Sequence, residues 1–280
     1  MKSVFPYNYH SHTKYCDGAH HAEEYITAAI NLGYQSYGFS THAPIPEGSV
    51  WNMKESDLEL YLNEIKSLKQ KYAYQIELYI GLEIDYVDGE QGPSSYSQLL
   101  DYNIGSIHFM GYGKRSELFE MDGSFSKFSD GLDRHYENDL RRAVEHYFQL
   151  TTDMIQNDPP EILGHVDKII SNAIKVEHQL LATKWYIDLM EALAKIISKK
   201  EMMVEINTRG LKSSFFPTTY PHQDFLKILS QYPIRFQMNA DVHRTSDLDM
   251  GYQKTLEMIR HLGIKELWVM ENHEWKAKRI

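Results

Sequence analysis

Two short motifs near opposite ends of this chain carry metal-binding chemistry. His10-Ser11-His12 sets two imidazoles at i and i+2, and Asp241-Val242-His243 sets a carboxylate and an imidazole at the same spacing. Residues two apart on an extended chain point to one side, so each pair can hold a single ion. The mixed nitrogen and oxygen donors suit Zn, Mn or Fe better than Mg or Ca, which favour all-oxygen shells. Asp17, in Cys16-Asp17-Gly18, follows the first motif, where an ordinary Asp-Gly turn is the plainer reading. Between the motifs, His42, Glu83, His108, His165 with Asp167, and Glu205 with Asn207 each end a short apolar or β-branched run. Glu83 interrupts the apolar segment ELYIGLEID, where an unpaired buried carboxylate is costly and a nearby cation accounts for it; otherwise it ends the strand in solvent. Taken singly, His108 and His165 are as readily hydrogen-bonded structural residues. Six of the fourteen histidines fall at such run ends, which favours a common site.

A fold that gathers these residues must place the run ends on one rim. Short runs alternate with longer amphipathic segments: 3–10 then 22–32, 34–42 then 55–72, 76–85 then 94–101, and 103–110 then a long helix at 134–157. The rhythm continues with 161–167 then 180–200, 202–208 then 222–231, 234–243 then 250–262, and a last run at 266–272. Seven or eight strand–helix units without a linker predict one α/β domain over 1–280, a parallel barrel whose chemistry sits at the C-terminal ends of its strands.

Composition narrows the chemistry. The chain has 29 basic and 39 acidic residues, a net charge of −10, which opposes binding to extended nucleic acid. Cys16 is the only cysteine, so internal disulfides and four-thiolate zinc sites are excluded. The apolar runs near 202–206 and 264–270 fall short of the roughly 18 residues of a membrane span, and MKSVFPYNYH lacks the apolar stretch of a secretory leader. The expectation is a cytoplasmic protein with no membrane partner. No phosphate-binding G-x-x-x-x-G-K-[ST] or dinucleotide G-x-G-x-x-G motif is present, so an organic cofactor is not expected. The donors at the run ends outnumber the needs of one ion, which implies two or three divalent metals and favours hydrolysis of a small phosphate ester by a metal-activated hydroxide.

In order, His10-x-His12, Thr41-His42, Gly81-x-Glu83, Ile107-His108, Gly164-His165-x-Asp167 and Asp241-x-His243 resemble the PHP (polymerase and histidinol phosphatase) family, and the likeness spans residues 8–243. Glu205-Ile206-Asn207-Thr208, followed by Tyr220-Pro221, is similar to its histidinol-phosphatase branch. The resemblance implies a distorted (β/α)7 barrel and histidinol-phosphate phosphatase activity in histidine biosynthesis. It further implies one metal on His10, His12, Glu83 and Asp241, a second on Glu83, His108 and His165, and a third on Asp17, His42 and His243. Glu83, Asp241 and His243 would then carry the catalysis, with Glu83 bridging two ions. For the substrate phosphate, Arg209 is the first candidate, for the forked donors of its guanidinium, with Lys212 and Arg244 behind it. The resemblance implies an arginine shortly after Gly-His-x-Asp, as in many members of the histidinol-phosphatase branch, whereas this chain reads Lys168-Ile169-Ile170-Ser171-Asn172. The competing readings are a PHP phosphoesterase acting on nucleotides and a metal-binding module without catalysis.

Overall fold

The computed structural model describes residues 2–280. The first half of the chain runs β1 (Tyr7–Asn8), α1 (Ala22–Leu32), β2 (Ser36–Phe39), α2 (Leu58–Tyr72), β3 (Glu77–Asp85) and β4 (Tyr102–Ser106). A small antiparallel ladder of β5 (Phe109–Met110) and β6 (Phe119–Glu120) follows, then α3 (Phe125–Tyr136), α4 (Leu140–Asn157) and β7 (Ile162–Leu163). The second half comprises α5 (Ile170–Val176), α6 (Lys184–Ile197), β8 (Met203–Asn207), α7 (Gln223–Leu229), β9 (Arg235–Asn239), α8 (Tyr252–His261), β10 (Glu266–Glu271) and β11 (Glu274–Arg279). β1, β2, β3, β4, β7, β8 and β9 form one seven-stranded sheet in that order. Every pairing along it is parallel, as the strand–helix alternation predicts.

The sheet curls until its first and last strands meet. Two asparagine side chains stand in for ladder bonds there: Tyr9 N–H donates to Asn239 Oδ1 (2.7 Å) and Ala240 N–H to Asn8 Oδ1 (2.9 Å). Beyond them the backbones join directly, His12 N–H donating to Val242 O (2.8 Å) and Val242 N–H to His10 O (2.9 Å). The barrel therefore closes through the two motifs with i, i+2 spacing. Inside, the Tyr102 ring crosses Gly38 and Gly81, where an added Cβ would come within 2.4 and 2.5 Å of it. Its hydroxyl donates to Tyr9 O (2.5 Å) and Phe39 O (3.0 Å).

Outside the sheet, α4 turns Ala143, Val144, Tyr147, Phe148, Thr151, Met154 and Ile155 inward, a helical stripe packed on the core. The single helix expected over 134–157 is two. Glu137 and Asn138 adopt φ of 55° and 63°, and Asp139 restarts the helix by accepting from Arg142 N–H. The run at 266–272 is a strand, but it adds no eighth stave, because β9 already meets β1. Asn272 and His273 (φ 53° and 60°) instead turn the chain back into an antiparallel β10–β11 hairpin. The hairpin packs against the N-terminal end of the barrel: Trp275 lies edge-on to Tyr9 at 5.2 Å, and Tyr9 OH accepts from Met270 N–H (2.8 Å). Among the described residues, no helix is long and apolar enough to cross a membrane.

Candidate metal centre

Glu83 lies on β3 with its carboxylate pointing into the opposite, C-terminal mouth, 1% exposed. Five imidazoles converge on it. Oε2 lies 3.1 Å from His10 Nε2, 3.6 Å from His12 Nε2 and 3.1 Å from His42 Nδ1. Oε1 lies 2.8 Å from His165 Nε2 and 3.6 Å from His108 Nε2, and also accepts from Ser106 Oγ (2.7 Å). Burial alone would raise the pKa of Glu83, but His10, His42 and His108 hold it well below the usual carboxylate range. The carboxylate is thus ionised, and its two oxygens face different groups of histidines.

Asp241 and Asp17 complete the rim. Asp241 Oδ1 lies 3.2 Å from His12 Nε2 and 3.3 Å from His243 Nδ1, at a backbone φ of 50°. Asp17 Oδ2 lies 3.1 Å from His243 Nε2, and its Oδ1 lies 3.7 Å from His12 Nδ1 and 3.9 Å from His42 Nε2. Burial raises the pKa of both acids, and the surrounding imidazoles, joined by Arg209 at Asp241, more than reverse it. For His12, burial together with His243 and His42 pushes the imidazole well below its ordinary pKa, leaving it neutral as a ligand must be.

These donor atoms cluster as ligands for a cation would. Glu83 with His108 and His165 makes one group, His10 with His12 and Glu83 another, and His12 with Asp17, His42 and His243 a third. His10, His165 and Asp241 are close as well. Asp241 groups with His10 and His165 and not with His12 and Glu83, His12 also joins the Asp17 set, and His42, Asp85 and His108 form a further group. Buried His12 Nε2, His42 Nδ1 and Asp241 Oδ1 have no hydrogen-bond partner in the protein. Such orphans are expensive, and imidazoles set among carboxylates are the donors a divalent transition metal takes. The residues fit a multinuclear metal centre.

A second layer of acids orients the histidines. Glu205 Oε1 lies 2.6 Å from His10 Nδ1, its Oε2 accepts from His165 N–H (2.9 Å), and Asn207 Nδ2 donates to both Glu205 (3.0 Å) and Asp241 (3.1 Å). This use of the His165 N–H takes the chain out of the ladder after Leu163, so β7 is shorter than the expected 161–167. Asp85 Oδ1 lies 2.8 Å from His108 Nδ1. A carboxylate on one ring nitrogen fixes the tautomer and aims the other nitrogen inward. Asp85 is absent from the sequence-derived set, yet its place two residues after Glu83 on an extended strand was a usable signal. Asp167 stands apart from the donor groups. Its Oδ2 accepts from His222 N–H (2.8 Å), and burial pushes its pKa up to about 7.

The mouth opens into a cleft of about 330 Å³ lined by Trp51, Glu120, Asp122, Lys168 and Arg209 besides the rim ligands. Arg209 leans on Asp241 O through Nη1 (3.2 Å). Lys168 Nζ lies 3.0 Å from Asp122 Oδ2. Burial would depress the lysine, but Asp122, Asp241 and Glu83 hold its pKa above the ordinary value, so it stays charged. Lys212 is elsewhere, paired with Asp247 at 2.6 Å, and Arg244 is exposed and not among the cleft-lining residues. Trp51 packs on His42 (4.5 Å) and donates from Nε1 to Glu120 (3.0 Å), a wall from a loop that no motif flags.

Residues 8–209 match the model of the PHP domain. A probable histidinol-phosphatase of Schizosaccharomyces pombe is 26% identical over 95% of this chain and 90% of its own length. The histidinol-phosphatase of Bacillus subtilis is 24% identical over 89% of this chain and 97% of its own. Among solved structures, a putative histidinol phosphatase from Listeria monocytogenes superposes with a TM-score of 0.80 at 23% identity, covering 89% of this chain and 99% of that one. A histidinol phosphate phosphatase from Lactococcus lactis, complexed with Zn, L-histidinol and phosphate, gives 0.71 at 20% identity over 96% and 98%. With the strand order, the rim of histidines and acids and a match across most of its length, this chain belongs to the PHP domain family.

Proposed function

We propose that this protein is a metal-dependent phosphomonoester hydrolase that cleaves L-histidinol phosphate to L-histidinol and phosphate at a centre of two or three divalent ions. The carrying observation is Glu83, whose two oxygens face separate sets of imidazoles within 3.6 Å. That arrangement suits a carboxylate bridging two ions. Relatives named as histidinol-phosphatases match nearly end to end, and the Lactococcus lactis structure was solved with Zn and the two products of this reaction.

On this reading His10, His12, Glu83 and Asp241 would hold one ion, Glu83, His108 and His165 a second, and Asp17, His42 and His243 a third. Bound there, the ions supply an acidified water as nucleophile and neutralise phosphoryl oxygens. The remaining steps belong to the protein. Arg209 and Lys168, the charged cations of the cleft wall, receive the oxygens of the phosphoryl group. Lys168 directly follows the Gly164-His165-x-Asp167 motif. Glu205 and Asp85 hold the Nδ1 protons of His10 and His108, keeping Nε2 of each free to ligate. Trp51 walls the cleft against water.

The test is phosphate release by purified protein supplied with Mn or Zn. L-Histidinol phosphate should be hydrolysed much faster than generic monoesters. Equal turnover of nucleotide diesters, with no preference for histidinol phosphate, would replace this reading with a nucleotide phosphoesterase.

A further inference from the structure

Beside the metal cleft is a second cavity of about 380 Å³, whose lining includes Phe109, Arg115, Glu120, Lys127, Asp130 and Arg134. Glu120 belongs to both spaces. Trp51 of the cleft and Phe109 of the cavity stack face to face, 5.2 Å apart and 2° from parallel. On the other side of Phe109 lies Arg115, its guanidinium carbon 3.6 Å from the ring centroid.

Arg115 is unusual for a cation. It is 6% exposed, and its Nε is buried without a partner. Its one hydrogen bond, from Nη2 to Gly48 O, is long at 3.5 Å. Asp85, Glu47, Glu120 and Glu90 attract it from beyond hydrogen-bond reach. A guanidinium keeps its proton even when buried, so the desolvation penalty has to be met by a partner. The ring face satisfies part of it, and the buried Nε donor is left without an acceptor. Around the cavity, Lys127 is paired with Glu120 at 2.9 Å, which leaves Arg115 and Arg134 against Asp130. Among the lining side chains the cations outnumber the acids by one.

We propose that Arg115, with Arg134, binds the carboxylate or phosphate group of a small anionic ligand in this cavity, next to the metal cleft and distinct from it. The ligand's oxygens replace the missing carboxylate partner, and the exposed side chain of Arg134 adds a second cation at the entrance.

The full-length protein, with Arg115→Met and Arg134→Met variants, should be titrated with inorganic sulfate and with acetate by calorimetry and thermal melting. The wild type should bind at least one anion saturably. Arg115→Met should weaken that binding by roughly tenfold or more and Arg134→Met by about threefold, as expected for the loss of charge-assisted hydrogen bonds. In buffer free of both anions Arg115→Met should melt above the wild type, because an unpaired buried charge has gone. General stabilisation by sulfate acts equally on all three proteins, as does sulfate held at the metal cleft. Tighter sulfate than acetate assigns the site to a phosphate-bearing ligand, and the reverse order to a carboxylate. The proposal is overturned if the wild type shows no saturable response. It is equally overturned if all three proteins bind both anions alike, or if Arg115→Met only melts lower with its anion response intact, as a purely structural cation on Phe109 would.

Discussion

The two ends of this barrel are built from the same seven strands and obey opposite rules. At the N-terminal floor, polar atoms are matched. Tyr102 OH serves two carbonyls, and Tyr9 OH bonds Ser36 and Met270 beneath the Trp275 ring. At the mouth, His12, His42, His165 and Asp241 each keep a buried polar atom without a protein partner. The floor contributes stability, whereas the mouth holds groups that are costly until something else binds them. Separate parts of one closed sheet thus carry persistence and chemistry, and substitutions at the two ends should be separable in the laboratory.

The sharpest separation should come at Glu83. Replacing it with alanine should lower turnover by about a thousandfold or more and reduce bound metal, as measured by activity and elemental analysis. A Glu83→Ala protein with its full metal complement would contradict a bridging carboxylate. Chelation of the wild type should abolish phosphate release reversibly and lower the melting temperature, since ions bound only to the folded chain stabilise it. Glu205→Gln, one step removed from the ions, should weaken metal affinity by about 10- to 100-fold while the fold persists. At the floor the pattern reverses. Tyr102→Phe leaves two buried carbonyls short of a donor and should cost about 1–2 kcal/mol in denaturant unfolding, with metal content and turnover unchanged. Loss of metal in Tyr102→Phe would show that the two ends are coupled after all.

Much of the mouth was legible in the sequence, because a parallel barrel exposes chemistry at its strand ends and histidines seldom fall there in series without a reason. The residues around Glu83 could be read from strand alternation and the i, i+2 rule, whereas Asp17 read as an ordinary Asp-Gly turn and joined the set only through the family resemblance. What the sequence concealed depends on loops and on competition for partners. Lys168 and Lys212 look alike as letters, yet one is held beside Asp122 at the cleft and the other is drawn off by Asp247. Trp51 arrives from a loop with no periodicity to read. The break at Glu137 and Asn138 was hidden because the helical pattern on either side continues in phase, and left-handed φ at those residues is a tertiary outcome. The run at 266–272 read correctly as β, but β11 was not read and the run's exclusion from the barrel was unreadable, because whether β9 already meets β1 is a property of the whole sheet.

The seam of the barrel also dictates an order of assembly. His10 O and Val242 N–H, which bond across that seam, lie far apart in the sequence. Contacts so remote along the chain form late. A chain still emerging from the ribosome holds His10 and His12 long before Asp241 and His243 exist to complete the cage. On the proposed function, a product truncated before Asp241 should hold fewer ions than the finished protein.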